Sequence, residues 1–572
     1  MGNLSYRDEF PQFPAANSGS VDQNNDIPET RLTGSERPGK CRSPGPTKIE
    51  LTRVLLFALR LDFASSTTEN SNSHNHHLEL NMSKTIPVSL CCLAVISLSL
   101  FSLAELDAQD ESKAAPRPNV IIIFIDDMGW GDVGFNGATG PKTPRLDQMA
   151  RDGRRFNDFY VGCSVCTGSR TALMTGCHFR RLGMQPVLFP NSKQGLHPEE
   201  ATIADVLKGV GYRTACVGKW HLGHLPPCLP TYQGFDSYFG IPYSNDMWID
   251  PANKLAKDIV IREGLTLGEV KAGHKKKNWV PLMRDEEVIE YPVDQTTITR
   301  RYTEEAIRFI ESGDERQQPF FLYLPHTMVH LPLAASAEFA GRTDKLIWDC
   351  IEEVDWSVGK ILECLKKNQL AENTLVIFTS DNGAAVGSSL PLRGRKFTVY
   401  DGGVREPTLM QWTGTIPADT VCREVCGTID LLPTLALWAG APLPSREIDG
   451  LNIAPLILGK PGAKTPHKTF CIAHSGGTVR SGQWKFYPWQ EKAKGRGSAG
   501  ELGRKPSPLP VQLYDTSADV GEKNNLAAEY PDVVNRLQTA YDSHIKEVEG
   551  EARKTALLQR PDGASSPERP GK

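Results

Sequence analysis

Four short polar clusters carry the chemistry open to this chain. Asp126 and Asp127, and much farther on Asp381 and Asn382, offer only oxygen donors. Oxygen-only sets suit Ca2+ or Mg2+ better than zinc, which favours nitrogen and sulfur. The D-D and D-N pairs could bracket one ion, or could simply cap the turns they begin. Lys219, Arg393, Arg395 and Lys396 add fixed positive charge, and His221, His326 and His330 can move protons. Such a set around a cation fits a tetrahedral oxyanion, a sulfate or phosphate ester, whose transition state gains charge on its peripheral oxygens. His326 and His330 cannot both be central, and the H-x-P context favours His330. His178 and His224 read as structural histidines. Cys163 to His178 stays ambiguous at this level. C-S-V-C followed by Cys177 and His178 has loose zinc-ligand spacing or that of a redox pair.

The elements that must position these groups share one grammar. Residues 119–125 (NVIIIFI) form a continuous β-branched run, the pattern of a strand buried on both faces of a parallel sheet. Strands are also expected at 213–217, 319–324 and 374–380, with helices at 199–208, 295–312 and 344–367. Each of the four strands stops at one polar cluster: D-D-M-G, G-K-W-H-L-G, P-H-T-M-V-H-L-P and D-N-G. Ligands of open α/β sheets bind beyond the carboxyl ends of strands, so four such endings suggest one composite site. The expected fold is α/β, with a large mixed, mostly parallel sheet flanked by helices. Past about residue 440 the apolar runs shorten to 468–473, 478–488 and 511–515, before a final helix at 530–548. That texture predicts a smaller antiparallel sheet plus helix, with an exposed hairpin or loop at 491–508 and a frayed tail at 559–572. Residues 224–294 read as loops that, together with the C-terminal domain, would set pocket selectivity. Within them, Lys271 to Lys277 is basic and reads as a solvated loop more readily than as a sulfated-polymer contact.

Composition excludes several classes. A net charge of −4 over 572 residues argues against a nucleic-acid coat, which needs concentrated positive charge. With 39% hydrophobic residues there is ample material for a core, and 50 Gly and 41 Pro point to a loop-rich enzyme rather than a helical bundle. Residues 1–81 read as a disordered or mis-annotated extension, because a targeting signal begins only at Met82. Residues 82–108 have the form of a signal peptide: Lys84 at a short basic start, an apolar run from Ile86 to Leu103, and small residues at Ala104 and Ala108. A membrane anchor is disfavoured by the shortness of that run and by Pro87. An exported, periplasmic or secreted chain follows, with no stable membrane insertion after cleavage, and that setting counts against the zinc and redox readings. The 13 cysteines are too sparse for a disulfide scaffold. Cys422 with Cys426, or Cys350 with Cys364, are candidate pairs between which spacing does not choose.

The segment C-T-G-S-R-T-A-L-M-T-G, from Cys166 to Gly176, resembles the C-x-P-S-R-x-x-x-L-T-G signature of the type I sulfatase family in the alkaline-phosphatase-like superfamily. The likeness continues through N-V-I-I-I-F-I-D-D-M-G-W-G-D, G-K-W-H-L-G, S-D-N-G, L-R-G-R-K-F-T-V-Y-D-G-G-V-R-E-P and L-Y-D-T-S-A-D-V-G-E-K-N-N-L-A, covering about residues 117–545. It implies a sulfatase catalytic domain at 117–440 and a smaller C-terminal domain at 441–558. It also implies that a formylglycine-generating enzyme converts Cys166 to an aldehyde during maturation. Asp126, Asp127, residue 166, Asp381 and Asn382 would hold Ca2+, in preference to Mg2+. The hydrated aldehyde, a gem-diol, would attack sulfur, and Arg170 and Lys219 would hold it in place. Lys219 and Lys396 would bind sulfate oxygens, His330 would protonate the departing alcohol, and His221 would take the second diol proton so that sulfate is expelled. The substrate would be a sulfated small molecule or polysaccharide. Two positions depart from the pattern: Gly168 stands where the family has Pro or Ala, and Cys177 where Arg commonly follows T-G. Because the converting enzyme reads this local sequence, an unconverted chain would be a sulfated-glycan binding protein. A phosphodiesterase or phosphonate hydrolase on the same scaffold is the other alternative.

Overall fold

The computed structural model describes residues 117–273, 276–313, 318–472, 477–488 and 510–560. The extension at 1–81, the signal at 82–108, the loop at 491–508 and most of the tail at 559–572 lie outside the described residues.

Eleven strands form the main sheet: β1 (Asn119–Ile125), β2 (Arg154–Phe156), β3 (Arg213–Val217), β4 (Ser237–Gly240), β5 (Lys254–Ile261), β6 (Leu282–Arg284), β7 (Glu287–Tyr291), β8 (Phe320–His326), β9 (Thr374–Ser380), β10 (Thr408–Gln411) and β11 (Thr420–Cys422). Their spatial order is β11-β2-β10-β9-β1-β8-β3-β4-β6-β7-β5. The central run β9-β1-β8-β3-β4 is parallel throughout. Antiparallel pairs enter outside it, at β9–β10, β10–β2, β4–β6 and β6–β7. The sheet is therefore mixed and mostly parallel at its core, as the buried β-branched runs predict.

Period-two alternation along β1 sends its side chains into two layers. Val120, Ile122 and Phe124 pack with Leu173 and Met174 of α2 (Cys166–Thr175), Ile203 and Leu207 of α3 (Ile203–Lys208), and Leu431 and Leu435 of α6 (Leu431–Ala439). Ile121, Ile123 and Ile125 pack with Leu146 of α1 (Pro144–Asp152), Ile298 and Tyr302 of α4 (Ile298–Glu311), and Ile351 and Val358 of α5 (Leu346–Lys367). Helices thus cover both faces. The helix expected at 199–208 starts only at Ile203, because Thr202 caps it. The Thr202 hydroxyl accepts from the Asp205 N–H at 3.1 Å, and the Asp205 carboxylate accepts from the Thr202 N–H at 2.9 Å.

The segment 224–294, read as loops, instead contributes β4 to β7. Their signal is faint because the strands are short and β5 (KLAKDIVI) lies at the sheet edge, largely exposed and without a continuous apolar run. Four C-terminal strands form a separate antiparallel sheet in sequence order: β12 (Phe470–Ile472), β13 (Thr478–Ser481), β14 (Trp484–Tyr487) and β15 (Gln512–Asp515). The run 478–488 is split into a hairpin by Gly482, which takes a left-handed φ of 55°. A long helix, α7 (Pro531–Gly550), packs Leu537 against Val479, Phe486 and Leu513 of this sheet. No helix among the described residues is long and apolar enough to cross a membrane.

Register explains how distant clusters meet. Ile125 lies opposite both His326 and Ser380, so β1, β8 and β9 end level with one another. The Asp381 N–H extends the ladder by donating to the Ile125 carbonyl at 2.9 Å. At the end of β3, Gly218 brings the chain so close to β8 that a Cβ would lie 1.9 Å from the Pro325 carbonyl oxygen. The Lys219 N–H then donates to that same carbonyl at 2.8 Å.

Candidate functional site

Beyond these aligned strand ends lie three carboxylates and three cations, all buried. Asp126 and Asp127 follow β1, and Asp127 takes a left-handed φ of 64°. Lys219 Nζ lies 2.6 Å from Asp126 Oδ2, and Lys396 Nζ lies 2.6 Å from Asp127 Oδ1. Arg170, one turn into α2, reaches Asp381 Oδ2 at 2.8 Å and Asp126 Oδ1 at 3.6 Å, and donates to the Lys219 carbonyl at 2.8 Å. The Asp127 N–H donates to Asp381 Oδ1 at 3.2 Å, and Asn382 Nδ2 donates to Asp127 Oδ1 at 2.7 Å. Counted as ionised, these three carboxylates and three cations balance; burial and Asp126 push the Asp381 carboxyl up, and burial with Asp381 and Asp127 pushes up the neighbouring Glu406 carboxyl. Burial opposes ionisation of Asp126, but Lys219, His330 and Arg170 outweigh it and hold its carboxyl below the usual range. Burial likewise opposes protonation of Lys396 and Lys219, and the surrounding carboxylates reverse that for both.

Cys166 is the first residue of α2, whose N-terminus favours negative charge. Its Sγ lies 3.7 Å from Asp126 Oδ1. Burial pushes the thiol up to about 12, so an unmodified Cys166 stays protonated at neutral pH and is a poor nucleophile. Donor atoms of Asp126, Asp127, Cys166 and His330 all lie within 4.8 Å of one another.

The donor chemistry fits a divalent cation. Asp126, Asp127, Asp381 and Asn382 present hard oxygens, and two of these, Asp127 Oδ2 and Asn382 Oδ1, are buried without a hydrogen-bond partner among the described residues. Buried oxygens of this kind need a proton donor or a cation. Asp381 and Asn382 therefore stand beside the D-D pair, although their sequence separation from it exceeds 250 residues.

The two histidines after β8 part company. His330 Nε2 lies 3.7 Å from Asp127 Oδ2 and 3.2 Å from Ser244 Oγ, while Nδ1 lies 2.9 Å from Asn245 Oδ1. His326, on the strand itself, turns into the opposite layer, where Nε2 meets Ser357 Oγ at 3.0 Å. His221 is buried with a left-handed φ of 61°; Nε2 lies 2.8 Å from the Leu188 carbonyl and Nδ1 has no hydrogen-bond partner. Burial and the Lys219 charge hold its pKa well below the usual range, so the ring is neutral. Its backbone carbonyl accepts from Thr167 Oγ1 at 3.0 Å, which ties it to the first turn of α2.

Other sequence candidates stand elsewhere. Arg393 stacks on Tyr400 and donates to the Tyr514 hydroxyl at 3.0 Å, facing the small sheet. Arg395 is exposed, so of the three basic side chains in L-R-G-R-K only Lys396 enters the cluster. His224 pairs with Asp250 at 2.7 Å, and His178 donates its N–H to Asp449 at 2.7 Å, both outside the cluster. Cys177 and His178 lie past the far end of α2, roughly 16 Å along the helix axis from Cys166, so the zinc-like quartet is not assembled. Cys163 fills another role. A Cβ on Gly168 would sit 2.6 Å from Cys163 Sγ, so the departure from Pro or Ala has a packing counterpart in this chain.

Ser244 and Asn245 escaped the sequence reading. Ser244 Oγ accepts from Lys219 Nζ at 3.1 Å and touches His330, bridging two elements of the cluster. They follow β4 as S-N-D, the same strand-then-polar grammar, but β4 is too short to have flagged them.

Comparison with known proteins agrees with this arrangement. The Sulfatase family model matches residues 118–441. Human arylsulfatase A is 38% identical over 453 residues, covering 74% of this chain and 87% of the relative. N-acetylgalactosamine-6-sulfatase of the dog, Canis lupus familiaris, is 33% identical over 484 residues, covering 76% and 87%. Among solved structures, Ps i-CgsB in complex with k-i-k-neocarrahexaose superposes with a TM-score of 0.64 at 28% identity, covering 76% of this chain and 94% of that one. A sheet that aligns its strand ends on a buried oxyanion-ready cluster, and a match spanning all of those ends, have one reading: the chain belongs to the sulfatase family and is a sulfuric ester hydrolase.

Proposed function

We propose that this chain is an exported, Ca2+-dependent sulfatase that acts on a sulfated saccharide or small sulfate ester through a formylglycine made from Cys166. The observation that carries the reading is the charge-balanced cluster with Cys166 at its floor. A divalent cation adds two positive charges to a cluster that is neutral without it. An anionic nucleophile and a monoanionic sulfate ester return it to neutrality. The cation is Ca2+ in preference to Mg2+, and Asp126, Asp127, Asp381, Asn382 and residue 166 would hold it. It would supply Lewis-acid polarisation of the sulfate, and the modified side chain would supply an oxygen nucleophile in place of an unreactive thiol.

The remaining roles belong to this chain's own side chains. Arg170, fixed by Asp381 and by the Lys219 carbonyl, holds the first turn of α2 and so the position of residue 166. Lys219 and Lys396 can turn from their carboxylates to oxygens of the bound sulfate, stabilising charge where it accumulates. Ser244 shares the Lys219 ammonium and steadies the ring of His330. His330, whose side chain is 12% exposed, donates the proton that the departing alcohol needs. His221 is neutral and buried, the state required to accept a proton from the side chain at 166.

Support for the substrate class comes from the names of the relatives, an arylsulfatase, an N-acetylgalactosamine-6-sulfatase and a structure with a bound neocarrahexaose. Export, by way of the signal at 82–108, and the division into a catalytic domain at 117–440 and a C-terminal domain at 441–558 rest on the sequence. The test is turnover of an aryl sulfate beside aryl phosphate mono- and diesters, before and after chelation. Sulfate-selective hydrolysis lost on chelation and restored by Ca2+ supports the reading. A preference for phosphate esters, or indifference to chelation, overturns it.

A further inference from the structure

Ten cysteines lie among the described residues, and all but Cys471 are buried. Most are isolated in the core. Cys350 and Cys364 both belong to α5, fourteen positions apart, which is roughly 21 Å along the helix axis and too far to bond. Cys163 packs on Gly168, and Cys177 meets Arg553. Cys422 and Cys426 are free thiols as well, but they lie close enough for each side chain to shift the acidity of the other.

The backbone brings this pair together. Cys422 ends β11, opposite Phe156 of β2. Cys426 begins a short strand, Cys426–Gly427, that pairs in parallel with Phe159–Tyr160. The Asn157 N–H donates to the Cys422 carbonyl at 2.9 Å, and the Cys426 N–H donates to the Asp158 carbonyl at 3.1 Å. Both cysteines are therefore pinned on either side of one turn, with only Arg423, Glu424 and Val425 between them.

We infer that Cys422 and Cys426 form a disulfide when the chain folds in an oxidising compartment, stapling the edge of the main sheet to the neighbouring strand pair. The chemistry is thiol–disulfide exchange with a small-molecule or protein disulfide. The Cys422 thiolate attacks one sulfur of the donor, forming a mixed disulfide and releasing one thiol. Cys426 then loses its proton and attacks Cys422 Sγ, releasing the second thiol. The two cysteines are oxidised by two electrons, and the donor disulfide is reduced to two thiols. The local setting assists the first step. The adjoining Cys426 side chain brings Cys422 down to about 7, against the upward pull of burial and with help from Arg154. A cross-link here also steadies Asp158, which accepts ion pairs from Arg480 at 3.0 Å and Arg405 at 3.9 Å, one from the small sheet and one from the catalytic side.

The inference goes beyond the sulfatase reading, and its test uses no sulfate ester, so the two fail separately. The full chain is secreted into the bacterial periplasm, unfolded in guanidinium with excess N-ethylmaleimide, and digested with trypsin without reduction. Arg423 lies between the two cysteines, so cleavage there separates peptide 406–423 from peptide 424–446. The expected result is a joined pair, two hydrogens lighter than its parts, as the dominant form, which splits on reduction. Separate peptides that each carry N-ethylmaleimide, or joined pairs in the minority, overturn it, as does either peptide linked to another cysteine.

Discussion

Replacing Lys396 by methionine tests whether the cluster is built around a cation. Lys396 Nζ sits 2.6 Å from Asp127 Oδ1, and among the described residues the other donor to that oxygen is Asn382 Nδ2 at 2.7 Å. Asp127 Oδ2 has no hydrogen-bond partner among these residues. Without a cation, the substitution leaves a buried carboxylate with one amide hydrogen bond and the His330 ring 3.7 Å from its other oxygen, a loss of about 3–5 kcal/mol for a broken buried pair. With Ca2+ bound, the ion compensates Asp127 and most of that loss returns. Losing one cationic contact to the sulfate oxygens should also lower kcat/KM by roughly 10²–10³-fold, about 2.7–4 kcal/mol. The assay is denaturant unfolding of wild type and Lys396→Met, each with chelator and with saturating Ca2+, beside aryl sulfate kinetics. The account predicts a large stability gap with chelator that narrows with Ca2+. An equal loss of stability in both conditions would refute the reasoning, because no cation would then be compensating Asp127.

Other outcomes follow from the same geometry. Cys166→Ser should fold and keep its secondary structure by circular dichroism, yet show no sustained turnover, since a serine sulfate ester lacks the second hydroxyl that expels sulfate by internal elimination. His330→Gln should lower kcat by about 10²–10⁴-fold, least for substrates with acidic leaving groups, as expected of a lost proton donor; equal losses across a leaving-group series would contradict the assignment. His326, facing Ser357, should leave kcat within a few-fold when changed to Gln. Burial holds His326 at about 3 against 6.5 when exposed, so its contribution to stability is present above pH 6.5 and is lost as pH falls toward 3. That amounts to about 5 kcal/mol at most, and denaturant titrations of His326→Gln should show a correspondingly flatter acid limb. Gly168→Ala should cost about 1–3 kcal/mol through its clash with Cys163, and Cys163→Gly in the same chain should recover most of it in urea melts.

Much of the molecule is legible in its sequence. The runs NVIIIFI, PFFLYL and TLVIFTS announce themselves because strands buried on both faces need largely unbroken apolar residues, and their polar endings mark the site directly. The strands β4 to β7 are not readable. Three of them are mostly buried but only three to five residues long, and β5, at the sheet edge, is largely exposed, so none offers a long apolar run. Ser244 and Asn245 were missed for the same reason. The separation of His326 from His330 illustrates a different limit. His326 ends β8, so the strand's alternation turns its ring into the helical layer, whereas His330 lies past the strand and returns to the cluster. The basic run around Lys396 shows a third, since sequence alone could not tell that Arg393 faces the small sheet and Arg395 faces solvent.

The central claim is that residue 166 acts as an aldehyde and not as a thiol. Tryptic cleavage after Arg155 and Arg170 isolates residues 156–170, which contain Cys163 and Cys166. Mass spectrometry of this peptide from active protein made in its own host should show a single alkylatable thiol, at 163. At 166 it should show a carbonyl that reacts with hydrazide reagents. A fully active preparation in which both positions take up alkylating agent, and none binds hydrazide, would contradict the account.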